Sequence, residues 1–313
     1  MKICVLQPDY STTGVDYKNY DPPRNLSPLL PSDTVDHVLL NKLTVYRQLK
    51  ELSKQGYDIF VNLCEGYLEW EIPSMDVIHC LDLLNLPYTG PSAKLYDPPK
   101  DLMKYVAYCE GVKTPQYVLI EKMEDVDRAC SQLNFPLFVK PDKAGDSLGV
   151  DEHSLVHNRE ELEQKVSEIL EEFGPLLVEE YIAGREFTVL IAAADNRNNC
   201  IVFRPVEYLF PEGMSFKTYA LKTSELHPDC NVPCTDPKLD SRLRKAAMKI
   251  FRGFNGVGYA RMDFRVNSRG QIFFLEINFT CSIFYSDGYE GSADYVLKYD
   301  EIGKAGFLRH IIQ

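Results

Sequence analysis

Short apolar runs with the character of buried strands alternate with stretches of helical spacing from the first residues onward. That alternation restricts the chain to an α/β architecture. Residues 2–6 form one such run, as expected of a parallel strand covered on both faces. Residues 11–33, rich in Pro, Asp, Asn and Ser, read as a long loop. Residues 34–55 carry apolar side chains at helical spacing (Val38, Leu39, Leu43, Tyr46, Leu49, Leu52) and predict a helix that stops near Gly56. A strand over 58–63, a helix over 75–84 and a break at 85–91 complete a small doubly wound unit. Helix 101–109, strand 116–120, helix 123–133 and strand 137–140 follow. A glycine-containing loop, helix 159–173 and strand 176–180 come next; the glutamates on that helix mark a solvated face. The last third predicts strand 187–194, a long loop over 208–237, helix 240–254, and strands 259–266 and 271–277. Three domains are expected, at 1–95, 96–184 and 185–313.

Composition excludes several classes. Of 313 residues, 45% are hydrophobic and 26% charged, which is ordinary globular usage. The 34 basic against 46 acidic residues give a net charge of −12, which disfavours a surface built to neutralise nucleic-acid backbones. Nine cysteines without a CxxC pair read as reduced thiols in a cytoplasmic protein. The opening residues read as a first strand rather than a signal peptide, and no apolar run reaches the roughly 18 residues of a membrane helix.

Three segments carry chemistry. In the first, 135–150, Lys140 ends a buried strand and is followed by Gly145, Ser147 and Gly149. A lysine in that position is costly unless it meets an anion, and the loop can aim N–H groups at phosphate oxygens. The alternative is an exposed lysine before a hairpin turn; no Walker A sequence occurs. In the second, Glu179 and Glu180 leave a strand, Tyr181 and Ile182 follow, and Glu186 opens the next strand. Such a linker offers Glu180 to an adenine edge and Glu186 to ribose hydroxyls, or it is a solvated hinge. In the third, Arg261, Asp263 and Arg265 alternate on one strand, and Glu276 and Asn278 on the next, joined through the turn at 267–270. A hairpin gathers these oxygens beside an arginine, which suits Mg²⁺ shared with phosphates; the alternative is a buried ion pair.

In this order and spacing the segments resemble the ATP-grasp superfamily, and within it the D-alanine–D-alanine ligases, over about residues 58–283. The resemblance implies a three-domain ATP-grasp fold with an N-terminal doubly wound domain, and an enzyme that joins a carboxylate to an amine through an acyl phosphate. It implies ATP, with Mg²⁺ or alternatively Mn²⁺, small-molecule carboxylate and amine substrates, no membrane or nucleic-acid partner, and a homodimer. Residue by residue, Lys100 and Lys140 fall where the family keeps its phosphate lysines, and Gly145–Gly149 on its small lid. Glu179, Glu180, Tyr181 and Ile182 match the adenine linker, and Glu186 the ribose ligand. Lys222 falls near the lysine of the large lid within 208–237, which also carries Lys217. Arg261 matches the arginine that steadies the phosphoryl intermediate, with the Ser282 N–H beside it. Asp263, Glu276 and Asn278 match the metal ligands.

The substrate half departs from the family pattern. The early Gly-Ser-Glu motif is absent from residues 7–18, Glu65-Gly66 stands where the family has His-Gly, and Thr223 replaces a tyrosine. Phe279-Thr280-Cys281-Ser282 replaces Thr-Ser-Pro-Gly. The expectation is therefore a carboxylate–amine ligase on amino-acid-like substrates. The alternatives are a true D-alanine–D-alanine ligase and a nucleotide-binding relative without ligase activity. Glu65, Glu69 and Glu71 are the nearest candidates to receive an ammonium, with Arg204 or Arg265 for a second carboxylate. Cys281 reads as small-residue packing, and His153 and His157 as structural or solvated.

Overall fold

The computed structural model describes residues 1–11, 13, 21–66, 71–143, 148–194, 200–217 and 228–313. Three sheets each draw their strands from one stretch of the chain. The first is parallel, ordered β2-β1-β3, with β1 Lys2–Pro8, β2 Thr34–Leu40 and β3 Ile59–Asn62. The second is antiparallel, ordered β4-β7-β5-β6, with β4 Tyr117–Ile120, β5 Leu137–Pro141, β6 Leu155–Val156 and β7 Leu176–Glu180. The third has six strands: β8 Arg185–Ala193, β9 Cys200–Val202, β10 Val206–Tyr208, β11 Asn231–Pro233, β12 Tyr259–Val266 and β13 Ile272–Asn278. Its order is β11-β10-β8-β12-β13, with β9 also pairing β8.

Helices cover these sheets. α1 Val45–Leu52 and α2 Met75–Leu83 bury Leu49, Leu52, Val77 and Leu81 against Cys4, Leu6 and Phe60 of the first sheet. α4 Asp125–Gln132 and α5 Arg159–Phe173 pack Ala129, Leu162 and Val166 on Leu137, Val139 and Val178. α3 Lys100–Cys109 and α6 Pro237–Gly253 cover one face of the third sheet, through Met103, Ala107, Leu243 and Ile250. α6 starts sharply because Asp236 accepts from the Lys238 and Leu239 N–H groups and Pro237 needs no donor there. α7 Ser292–Tyr299 and α8 Gly303–Ile311 set Val296, Leu297, Phe307 and Leu308 against Ile3 and Val5 of β1 and against Leu190 and Tyr259 of the third sheet. No helix among the described residues is long and apolar enough to cross a membrane.

The structure corrects two expectations. Residues 34–55 are not one helix: β2 pairs in parallel with β1 along its whole length, and α1 begins only at Val45. The apolar residues of 34–43 satisfy either period, and the deciding partner, β1, is distant in sequence. Asn41 marks the true boundary, since its side chain accepts from the Leu43 N–H. The loop expected over 208–237 is narrower, because β10 and β11 close it as an antiparallel pair. α3, which precedes the middle sheet in the chain, packs in the core of the third sheet.

Candidate functional site

Alternation sorts each strand of the third sheet into an apolar and a polar face. Phe187, Val189, Met262, Phe264 and Ile277 point into the core under α6. The opposite face carries Glu186 and Thr188 on β8, Arg261, Asp263 and Arg265 on β12, and Glu276 and Asn278 on β13. Register brings them together: Asp263 lies opposite Thr188 and Glu276, Arg261 opposite Asn278, and Arg265 opposite Glu186. A β-bulge between Asp263 and Phe264 shifts the β13 pairing, so Arg265 faces Phe273 instead of continuing the oxygen cluster. Further along this face Leu190 and Tyr259 are covered by the C-terminal helices, which leaves the charged half open.

The middle sheet supplies the opposing wall. Phe138 and Lys140 on β5 share a face with Glu179 on β7, because Phe138 pairs with Glu179 and Lys140 with Leu177. Between the walls lies a cleft of about 800 Å³ counting its open mouth. Lys100, Lys140, Glu186, Asp263 and Glu276 line one part, and Phe138, Tyr181, Ile182 and Phe216 another. Flat apolar side chains at one end and cations with carboxylates at the other match the two ends of a nucleotide.

Glu179 lines the cleft and is held by two cations. Its carboxylate is buried between two lysines, Lys140 Nζ at 2.6 Å and Lys104 Nζ at 2.6 Å. It lines the cleft beside Lys140, and its oxygens serve two ammonium groups. Burial raises its proton affinity, but the two lysines outweigh that and hold the carboxyl below its ordinary range. Burial likewise pulls Lys140 down, and Glu179 with Glu276 reverses the shift, so this ammonium is held above its usual value. Lys100 is lowered by burial, partly offset by Glu276. Lys104 escaped the sequence reading; its one signal is the four-residue spacing from Lys100, which puts both on one face of α3.

Glu180 also lines the cleft, and its Oε1 accepts from the Asn134 backbone N–H at 3.0 Å and from Asn134 Nδ2 at 2.8 Å. Glu186 is paired with Lys217 at 3.1 Å and Arg265 at 2.8 Å. Burial pushes its carboxyl up, and these two cations outweigh it and keep the group low. Arg265 also donates to the Tyr181 hydroxyl and the Ile182 carbonyl, so it braces the linker between the sheets and is not available to a second carboxylate. Arg204 is likewise committed, to the Cys234 carbonyl. Gly149 sits at φ 73° against Pro141, in a conformation that favours glycine. Gly145, Ser147, Lys222, Thr223 and Glu69 lie outside the described residues.

A second, smaller pocket opens on the far side of the oxygen cluster, lined by Glu65, Asp97, Arg261, Asn278, Cys281 and Ser282 among others. Arg261 belongs to it, while Nη2 reaches back 3.2 Å to Asp263 and 4.0 Å to Glu276, both of which line the larger cleft. The β12–β13 hairpin is thus a shared wall. The Ser282 hydroxyl donates to Glu65 Oε2 at 3.1 Å, whereas Glu71 is exposed and does not line this pocket. Burial pushes the Cys281 thiol up to about 12, which leaves it protonated and unsuited to attack. His153 and His157 lie on the surface beside Glu152 and Glu161.

Residues 107–283, more than half of the chain, match the family model described as D-ala D-ala ligase C-terminus. The chain belongs to that family. It is 30% identical over 200 residues to the D-alanine–D-alanine ligase of Aquifex aeolicus, covering 63% of this chain and 64% of that one. Against the ligase of Pelotomaculum thermopropionicum the figures are 29% over 211 residues, 63% and 63%. The chain therefore spans just under two thirds of the length of these curated relatives. It is also 30% identical over 249 residues to the uncharacterized protein y4sG of Sinorhizobium fredii, covering 78% of this chain and 71% of that one. In three dimensions it matches the D-alanine–D-alanine ligase from Bacillus anthracis complexed with ATP at a TM-score of 0.71 and 20% identity, over 100% of this chain and 96% of that one. The VanG D-Ala:D-Ser ligase from Enterococcus faecalis gives 0.70 and 17%, over 100% and 98%. The fold is the three-domain ATP-grasp fold.

Within this family member, the donor set at the hairpin fits a hard divalent cation. Asp263 and Glu276 bring carboxylates from facing positions of neighbouring strands, and Asn278 adds an amide. Asp263 is oriented by the Thr188 hydroxyl at 2.7 Å, a supporting contact the sequence did not signal. Among the described residues no group of three or more His, Cys, Asp or Glu side chains is placed to hold a metal alone. An ion here would take its remaining ligands from phosphate and water, which suits Mg²⁺ or Mn²⁺.

Proposed function

We propose that the chain is an ATP-dependent carboxylate–amine ligase, forming an amide through an acyl phosphate and releasing ADP and phosphate. The observation that carries this reading is the shared wall: the pocket holding Arg261 abuts the cleft holding Lys100, Lys140, Asp263 and Glu276. A carboxylate in the smaller pocket then faces the terminal phosphate of a nucleotide in the larger one, so proximity does much of the work. Lys100 and Lys140 hold phosphate oxygens, and Glu179 with Lys104 fixes Lys140 where it must point. A divalent ion on Asp263, Glu276 and Asn278 would neutralise phosphate charge. When an amine attacks the acyl phosphate carbonyl, Arg261 and the backbone N–H of Ser282 stabilise the tetrahedral adduct. Phe138, Tyr181, Ile182 and Phe216 take the nucleobase and Glu186 the ribose.

The same reading places the protein in the cytoplasm, as a homodimer acting on small molecules, with domain limits near residues 95 and 184. ADP release from ATP·Mg²⁺, measured across amino acids and small carboxylates singly and in pairs, tests it. Release should exceed background hydrolysis for at least one pair and collapse by more than about 100-fold in Glu276→Gln, which keeps the shape and loses a metal charge. No substrate-dependent release from any combination would refute the ligase reading.

A further inference from the structure

The smaller pocket carries a charge pattern that acyl transfer alone does not require. Its lining contains two carboxylates, Glu65 and Asp97, against one cation, Arg261. Behind it, Arg24 is buried, with Nη1 3.4 Å from Glu65 Oε1 and Nη2 3.2 Å from Asp21. Nη2 and Nη1 also donate to the Leu63 carbonyl at 3.0 Å and the Ile283 carbonyl at 3.3 Å, the guanidinium stacks on Tyr285 at 4.6 Å, and Nε has no partner among the described residues. Buried behind Glu65, Arg24 does not line the pocket. It ties the end of β3 to the loop after β13 and fixes Glu65 between them. Glu65 is then held from two sides, by Arg24 and by Ser282 Oγ, while its side chain keeps 26% of its surface exposed at the pocket. Counting the groups in and behind the pocket, Arg24 and Arg261 stand against Asp21, Glu65 and Asp97, one negative charge in excess. An anionic pocket with a fixed carboxylate and an arginine at opposite duties is matched by a zwitterion.

Resting on the ligase reading above, we infer that Glu65 is the specificity-determining residue that seats the ammonium of an amino-acid substrate whose carboxylate lies toward Arg261, and that Arg24 is its positioning residue. Recognition of the amine then comes from the end of β3 rather than from the chain's first loop. A substrate lacking the amine would leave the carboxylate desolvated without a partner, a loss that polar sites convert into strong discrimination.

Matched pairs test this in the ADP-release assay, each offered as the carboxylate with the same saturating amine acceptor, an amino-acid amide: glycine against acetate, D- and L-alanine against propionate, D- and L-serine against 3-hydroxypropionate, D- and L-glutamate against glutarate. For the pair that is turned over, kcat/KM should favour the amino acid by at least about 100-fold. Glu65→Gln should cut that ratio below about tenfold, chiefly by raising KM for the amino acid, and Arg24→Lys should raise the same KM with a smaller effect on kcat. Wild-type protein that turns over the deaminated acids as well as the amino acids would overturn the inference and leave the ligase reading standing. An unchanged ratio in a folded Glu65→Gln would overturn it as well. Silence with every compound would remove the ligase reading and this inference together.

Discussion

Glu179 serves two lysines, and the partition between them sets where Lys140 points. Lys104 is fully buried with its ammonium 2.6 Å from one oxygen of Glu179, and Lys140 takes the other oxygen at the same distance. Lys104→Met keeps the stem packing and removes that charge, which leaves Glu179 to pull on Lys140 alone. ATP binding should weaken by roughly tenfold in titration calorimetry, with unfolding stability lowered by about 1–3 kcal/mol. In the wild type, raising pH neutralises the same ammonium without removing its hydrogen-bonding amine, so ATP binding follows the variant while stability moves the other way. Burial pulls the Lys104 ammonium down to about 8, against the attraction of Glu179. Below that pH the folded state carries the full cost of the buried charge, and between about 8 and the ordinary lysine value of 10.5 the unfolded chain binds more protons than the folded one. This group's contribution to stability therefore rises with pH across that window, while the loss of its charge weakens ATP binding there. Arg261, Asp263, Glu276 and Asn278 could be placed on one surface from sequence because charged residues in otherwise apolar strands are conspicuous and strand alternation has a fixed period. Lys104 could not, since a lysine on a helix ordinarily signals a solvated face. Nor could Arg24, whose partners are spread from Asp21 to Ile283.

At the level of elements, the turn from β7 to β8 joins the two walls of the cleft, and it depends on one glycine. Gly184 has φ 142°, and a Cβ there would lie 2.2 Å from the Val266 carbonyl oxygen. Gly184→Ala must strain its backbone and push the end of β12 away, and with it Arg265, which braces Tyr181 and Ile182. We expect a loss of about 2–4 kcal/mol in urea unfolding. Most strands and helices of the middle and last thirds were legible in sequence, helix 159–173 and strand 176–180 to the residue, because their hydrophobic periods were unambiguous. β2 was not. Its apolar residues fit either period, and pairing along β1 decided the matter. α7 and α8 drew no assignment, and the structure gives them a role only through apolar faces that meet β1 and the third sheet.

For the molecule as a whole, the first and third sheets share a core and the middle sheet keeps its own. One polar contact reinforces the shared side: Arg309 on α8 reaches Asp33, just before β2, at 2.6 Å. The hydrogen-bonded Arg309 guanidinium holds the Asp33 carboxyl down at about 2, below its ordinary 3.8. A depressed carboxyl stabilises the fold above its unfolded value and loses that contribution as pH falls toward the folded one. Thermal midpoints of Arg309→Gln should thus lie below wild type at pH 7 and converge with it as pH drops from about 4 toward 2. Converging curves would not be seen if the pair were immaterial. The arrangement of the shared core also fixes an order of events at the ribosome. Ile3, Val5 and Val61 emerge early, yet Val296, Phe307 and Leu308, which cover them, are made much later. The first sheet must wait with one apolar face bare while more than two hundred further residues are translated. The middle sheet, whose core is complete by Val178, is free to fold in the meantime. The opening strands therefore keep an apolar face open until those helices emerge, while the middle unit depends on nothing translated after it.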